Sequence, residues 1–215
     1  MEIIIIDHPL VSHKLSLLRS SGASSATFRA LINEISAFLV YEATRNLKTE
    51  TIEIETPIAK TRSKTLRKNP RPLVVPILRA GLGMLDSFLT QVPTAEVGFL
   101  GMRRDEKTLQ PEAYMDRLPD DLAGRQCYVI DPMLATGGSL IDALEFLLAR
   151  GGVNITMLNI LAAPEGIAAI KRFAKQHPEI SLRLVIAAKD EKLNERGYIV
   201  PGLGDAGDRL YGKID

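Results

Sequence analysis

Hydrophobic positions along the chain alternate between a helical period and short, nearly continuous apolar runs. From Phe28, apolar residues recur at Leu31, Ile32, Ile35, Phe38 and Leu39, the spacing of an amphipathic helix, with Ser24 and Ser25 placed to cap it. Residues 51–55 alternate β-branched and acidic side chains and read as a half-exposed strand. Residues 73–78 form an apolar run in which Pro76 points to a sheet edge or a strand end. Helical spacing returns over 82–92. Strands are then predicted over 95–102, 128–130, 155–161 and 182–187. Between the last three lie helices over 139–150, closed by Gly151 and Gly152, and from Pro164 to about His177. Buried strands separated by helices predict an α/β domain with a parallel sheet covered on both faces. Two stretches break the rhythm. Residues 103–119 are polar and charged and read as an arm or flap, and residues 198–215 are glycine-rich and read as a cover.

Composition narrows the class without naming a task. The chain has 215 residues, 46% hydrophobic, with 27 Lys and Arg against 26 Asp and Glu. A balance that close to neutral speaks against a dedicated nucleic-acid binder. No apolar stretch approaches the roughly 18 residues that span a bilayer, and the four isoleucines after Glu2 are too few for a signal-peptide core. The single Cys127 cannot form an intrachain disulfide, so the expectation is a cytoplasmic protein. His8, His13 and His177 are scattered, and no protein-built metal site is expected. Between Lys60 and Arg71 six basic residues occur without an acid. They read as a solvated loop, with a nucleotide-effector or subunit contact as the sharper alternative.

The most informative stretch is Asp131-Pro132-Met133-Leu134-Ala135-Thr136-Gly137-Gly138-Ser139. An acid at a strand end is followed by a small-residue loop and a helix start. Such a helix end offers unpaired N–H groups and partial positive charge to a phosphate. Gly137 and Gly138 allow close backbone approach, and Thr136 and Ser139 add hydroxyls. Spacing alone leaves a plain strand-loop-helix turn equally open. There is no Lys after the glycines, so this is not a Walker A loop.

That loop resembles the 5-phosphoribosyl-1-diphosphate (PRPP) loop of the type I phosphoribosyltransferases, in the form found in the uracil phosphoribosyltransferase family, where Pro132 replaces a second acid. Val75-Pro76-Ile77-Leu78-Arg79-Ala80-Gly81-Leu82-Gly83, Ala162-Ala163-Pro164-Glu165-Gly166 and the tail from Gly197 through Arg209 match the same family in order. Arg103, where the family usually has Tyr, and Lys189, at a generally apolar position, depart from its pattern.

The resemblance implies a type I phosphoribosyltransferase fold in one domain over 1–215, with a flexible arm over 103–119 and a uracil-binding hood over 190–215. It implies salvage of uracil with PRPP to UMP and diphosphate. It places PRPP on Arg79, Arg104, Asp205 and the loop Asp131, Pro132, Met133, Leu134, Ala135, Thr136, Gly137, Gly138 and Ser139. It places uracil on Ile199, Gly204, Asp205 and Ala206, largely through backbone atoms, with Ile199 also able to supply an apolar wall. Asp131, Arg104 and Asp205 are the expected catalytic residues. Magnesium is expected to arrive with the diphosphate, since that hard ion prefers phosphate oxygens and water. The resemblance further implies a homo-oligomer, dimer or tetramer, and a possible GTP effector, with no nucleic-acid or membrane partner. A regulator that keeps the fold but binds RNA or DNA is the rival from another class, and its only support is the basic run. A purine-specific enzyme of the same fold is disfavoured by Pro132 and the tail.

Overall fold

The computed structural model describes residues 1–104 and 111–213, and the side chains among them except those of 102–104 and 111–113. The chain runs β1 (Glu2–Ile5), α1 (Pro9–Arg19), α2 (Ser25–Ala43), β2 (Thr49–Glu55), β3 (Lys60–Leu66), β4 (Leu73–Leu78), α3 (Leu82–Gln91), β5 (Glu96–Val97), β6 (Phe99–Arg104) and β7 (Pro111–Arg117). It continues through β8 (Gln126–Ile130), β9 (Met133–Leu134), α4 (Gly138–Leu148), β10 (Asn154–Ala162), α5 (Pro164–Gln176), β11 (Ser181–Lys189), β12 (Lys192–Leu193), β13 (Ile199–Val200) and α6 (Ala206–Tyr211).

The main sheet has the order β1-β11-β10-β8-β4-β6-β7 and is parallel except for the β6–β7 ribbon. Its strands read as uninterrupted apolar runs because both faces are covered. Tyr128 and Ile130 of β8 face a core shared with α1, α2, α3 and α6, while Cys127 and Val129 face a second core against α4 and α5. Burying each Leu, Ile or Phe at these positions contributes about 1.5–3 kcal/mol relative to exposure. Among the described residues no helix is long and apolar enough to cross a membrane.

The α/β reading and its four long helices stand, and Ser24 caps α2 by accepting from Thr27 N–H at 3.1 Å. Several expectations change. Strand β4 lies inside the sheet, not at its edge. Pro76 sits where the neighbour on one side switches from β5 to β6, so its missing N–H removes no bond from an intact ladder. The single strand expected over 95–102 is broken at Gly98, where a Cβ would fall 2.6 Å from Leu118. Two elements precede residue 24: β1 on the sheet edge, and α1, which buries Val11, Leu15 and Leu18 in one stripe.

The basic run is a loop only in its second half, at Arg67, Lys68 and Arg71. Lys60–Leu66 pairs antiparallel with the acidic β2, placing Glu53 opposite Arg62 and Glu55 opposite Lys60. Opposite charges across a strand pair favour that register. Residues 99–104 and 111–117 are likewise antiparallel strands rather than an irregular arm, and residues 105–110 lie outside the described range. The tail is not featureless: it holds the β12–β13 ribbon and the short α6, capped by Asp205.

Candidate functional site

Parallel strands β4, β8 and β10 end on the same side of the sheet, which gathers the loops that follow them. After β8 the chain turns at Asp131, pairs briefly with β10 through β9, and enters α4 at Gly138. Asp131 N–H donates to Leu158 O at 3.2 Å, and the N–H groups of Ile160 and Leu161 both reach Pro132 O, at 2.9 and 3.0 Å. Gly137 caps α4 with φ +91°, a left-handed value that suits glycine, and its first turn carries no acid. The positive end of the helix is therefore not neutralised from within.

Asp131, Met133, Leu134, Ala135, Thr136, Gly137, Gly138, Ser139 and Leu140 enclose a cavity of about 80 Å³. All the residues expected to hold the 5-phosphate line it. Thr136 and Ser139 present exposed side chains there, while Pro132 is buried and acts through its carbonyl. The Asp131 carboxylate accepts from Met133 N–H at 3.1 Å. Burial pushes its pKa up to about 7, a rise that this one hydrogen bond only partly offsets. A carboxylate so placed gains most from a hydroxyl or a positive charge.

Three glycines explain why separate motifs recur together. A Cβ on Gly166, at the start of α5, would lie 2.4 Å from Ala135 O, so the segment Ala162-Ala163-Pro164-Glu165-Gly166 is the floor of the phosphate loop. A Cβ on Gly81 would lie 2.4 Å from Ile130 O, which brings the turn after β4 against the residue preceding Asp131. One on Gly207 would lie 3.8 Å from Arg79 Nη2, so Arg79 reaches from that turn toward the C-terminal hood.

In the hood, Asp205 Oδ1 accepts from Asp208 N–H at 2.8 Å and caps α6. Ile199 and Ala206 are buried in the core. The Ile199 side chain, expected as an apolar wall, packs inward against that core. Gly202 and Gly204 have φ of +64° and +80°, and a Cβ on Gly202 would sit 2.1 Å from Ile199 O. Arg209 donates to Leu18 O, Leu203 O and Ser20 O, and lies 4.2 Å over the Phe28 ring. The side chain of Arg104 lies outside the described residues.

Sequence reasoning missed Asn159. Fully buried in β10, it donates Nδ2–H to Asp131 O at 2.7 Å and so props the strand end that carries the Asp131 carboxylate. Among the described residues its Oδ1 is the buried side-chain acceptor left without a partner. A polar residue inside the apolar run 155–161 was the available signal.

Comparison with known proteins gives the same answer from an independent direction. The family model described as uracil phosphoribosyltransferase matches residues 5–213. A uracil phosphoribosyltransferase from Leifsonia xyli subsp. xyli is 56% identical over 214 residues, covering all of both chains, and one from a Nocardioides species is 57% identical over 98% of each. A solved protein of Aquifex aeolicus aligns over 98% of both chains with TM-score 0.87 and 41% identity. A hypoxanthine-guanine phosphoribosyltransferase from Bacillus anthracis, at 10% identity and TM-score 0.50 over 77% of this chain and 80% of its own, shares the fold alone. The chain belongs to the uracil phosphoribosyltransferase family, the pentosyltransferases of pyrimidine salvage.

Proposed function

We propose that the protein joins uracil to PRPP, giving UMP and diphosphate, with the phosphate loop holding the ribosyl donor and the hood reading the base within one domain. The observation that carries this division of labour is the loop cavity at the amino end of α4, with the half-buried Asp131 carboxylate, its pKa raised by desolvation, on its wall. Thr136, Gly137, Gly138 and Ser139 hold the 5-phosphate by hydroxyls and N–H groups. Asp131 meets the ribose hydroxyls. As diphosphate departs, positive charge grows on the ribose ring, and a carboxylate already in place stabilises it without reorganisation. Arg79, joined by Arg104, steadies the leaving group. The backbone at Ile199, Gly204, Asp205 and Ala206 matches the acceptor-donor-acceptor edge of uracil. Magnesium, bound through the donor's diphosphate oxygens, would offset their charge, and Asp205 would be the residue to orient a water or hydroxyl there; among the described residues no cluster of three His, Cys, Asp or Glu would hold the ion by itself.

The double variant Thr136→Val with Ser139→Ala tests the division. KM for PRPP should rise about tenfold, with KM for uracil unchanged, since two hydroxyl bonds to a charged group are lost. A matching rise in both constants would refute separate subsites.

GTP as an effector has a candidate location. A cavity of about 230 Å³ at the opposite end of β8 and β10 is lined by Lys48, Arg67, Asn46, Gln126 and Asn154, with no carboxylate. Two cations and three carboxamides suit a nucleotide phosphate. A second copy of this chain is the partner we favour. Ile52, Ile54 and the 95% exposed Ile58 of the β2–β3 ribbon are apolar, and such a ribbon is marginal alone in water. A groove of Ile6, His8, Ala37, Phe38 and Tyr41, flanked by Asp7 and Glu42, offers an apolar surface. The cytoplasm is the proposed compartment, in keeping with one unpaired cysteine.

A further inference from the structure

We infer that the side chains of Arg19, Asp190 and Arg209, residues assigned to neither proposed subsite, are positioning groups that set the register of the uracil-reading backbone. The inference rests on assigning base recognition to Ile199 and residues 204–206.

Gly202 is gripped at both of its backbone groups. Its N–H donates to Asp190 Oδ2 at 2.9 Å, and its carbonyl accepts from Arg19 Nη1 at 2.8 Å. Arg19 and Asp190 are themselves joined in a fork, Nη1 to Oδ2 at 2.8 Å and Nη2 to Oδ1 at 2.5 Å. The Asp190 side chain is 4% exposed, so these bonds are made with little competition from water. The next carbonyl, that of Leu203, accepts from Arg209 Nη1 at 2.8 Å. Two guanidinium groups thus hold consecutive carbonyls just before Gly204.

The anchors of this clamp are distant in sequence and close to rigid elements. Asp190 N–H donates to Ala162 O at 2.9 Å, which ties it to the end of β10 beside the phosphate-loop floor. Arg19 ends α1, and Arg209 donates to Leu18 O and Ser20 O around that same helix end. Burial lowers the pKa of Arg209 from its ordinary value. The base subsite is therefore fixed relative to the phosphate subsite through side chains at 19, 190 and 209. A hood that shifts by about 1 Å can cost on the order of 10²-fold where donors and acceptors must meet a rigid ring.

The test is steady-state kinetics on the whole protein, with a melting curve for each variant. Arg19→Met keeps the aliphatic stem and removes the fork, whereas Arg19→Lys keeps the charge and can serve one partner well. The clamp predicts that Arg19→Met raises KM for uracil about tenfold or more, and leaves KM for PRPP within about threefold, while Arg19→Lys recovers part of the loss. A purely structural role would raise both constants together or lower Tm without separating them, and either result overturns the inference. So does a folded Arg19→Met with unchanged KM for uracil. If Arg19→Met does not fold, the same split in Arg19→Lys supports the clamp and its absence refutes it. Gly204→Ala separates the premise from the clamp. An unchanged KM for uracil in that variant would overturn the base assignment and this inference with it. A raised one, with Arg19 variants silent, would overturn the clamp alone.

Discussion

The phosphate loop and the base hood are both made of glycine-rich backbone, yet the fold secures them differently. The loop hangs from the central sheet by main-chain bonds: Asp131 to Leu158, Pro132 to Ile160 and Leu161, and Ala163 N–H to Leu134 O at 2.9 Å. Its floor is another backbone, that of α5 at Gly166. The hood has the two-residue β12–β13 pairing and the short α6, packs Ile199, Leu203, Ala206 and Leu210 into the core, and is further held by charged side chains at 19, 190 and 209. A subsite for a phosphate common to many sugars can be built from local geometry. A subsite for one particular base needs its donors and acceptors held in place, and long-range bonds do that without a large local core.

The largest expected effect breaks the comparison on the hood side. Cytosine reverses hydrogen-bonding sense at two edge positions, so main-chain groups at Ile199 and residues 204–206 covered by the base would be left unpaired. Discrimination in kcat/KM on the order of 10⁴-fold is expected. Comparable values for the two bases would show that the hood does not read that edge.

A smaller effect sharpens the loop side. The Asp131 carboxyl has a folded-state pKa raised to about 7 from 3.8, so it binds protons more readily folded than unfolded. Stability associated with its protonation is present below about pH 4 and is lost as pH rises through about 7. Asp131→Asn should therefore raise the Tm of the ligand-free protein at pH 8 relative to its parent, and change it little at pH 4. Melting curves at both values check this. A lower Tm at pH 8 would mean that the carboxylate is structural rather than held ready for a ligand.

The smallest effect lies away from both subsites. Replacing Lys64, Arg67 and Lys68 together with Ser should leave kcat at saturating uracil and PRPP within about twofold, because the β2–β3 ribbon and the residues just after it lie apart from the loop cavity. A sharp fall in an initial-rate assay without added nucleotide would make this region part of the catalytic site.

The same contrast explains what could be read from the sequence. The strand, acid, glycine loop and helix start around Asp131 are contiguous, so the cradle and the parallel sheet were legible from period and spacing. Gly166 and Gly81 were noticed as motif members, but their reason, a backbone approach of 2.4 Å, needs the third dimension. Arg19 looked like any charged helix end, and its bond to Gly202 spans 183 positions. The first half of the basic run was misread because its partner strand is acidic, and charge pairing across a hairpin is invisible when one segment is judged alone. The tail hid α6 because six residues are too few to show a helical period.

The central claim is that the sheet delivers a half-buried carboxylate to meet charge that develops on the ribose. Steady-state turnover of Asp131→Asn, with a melting curve to confirm folding, tests it most directly. Asparagine keeps the shape and an acceptor oxygen while removing the charge. The account predicts that kcat falls about 10²-fold or more, with a smaller change in KM for PRPP, as when one electrostatic contact to a transition state is lost. A folded variant with kcat within a few-fold of its parent would contradict it.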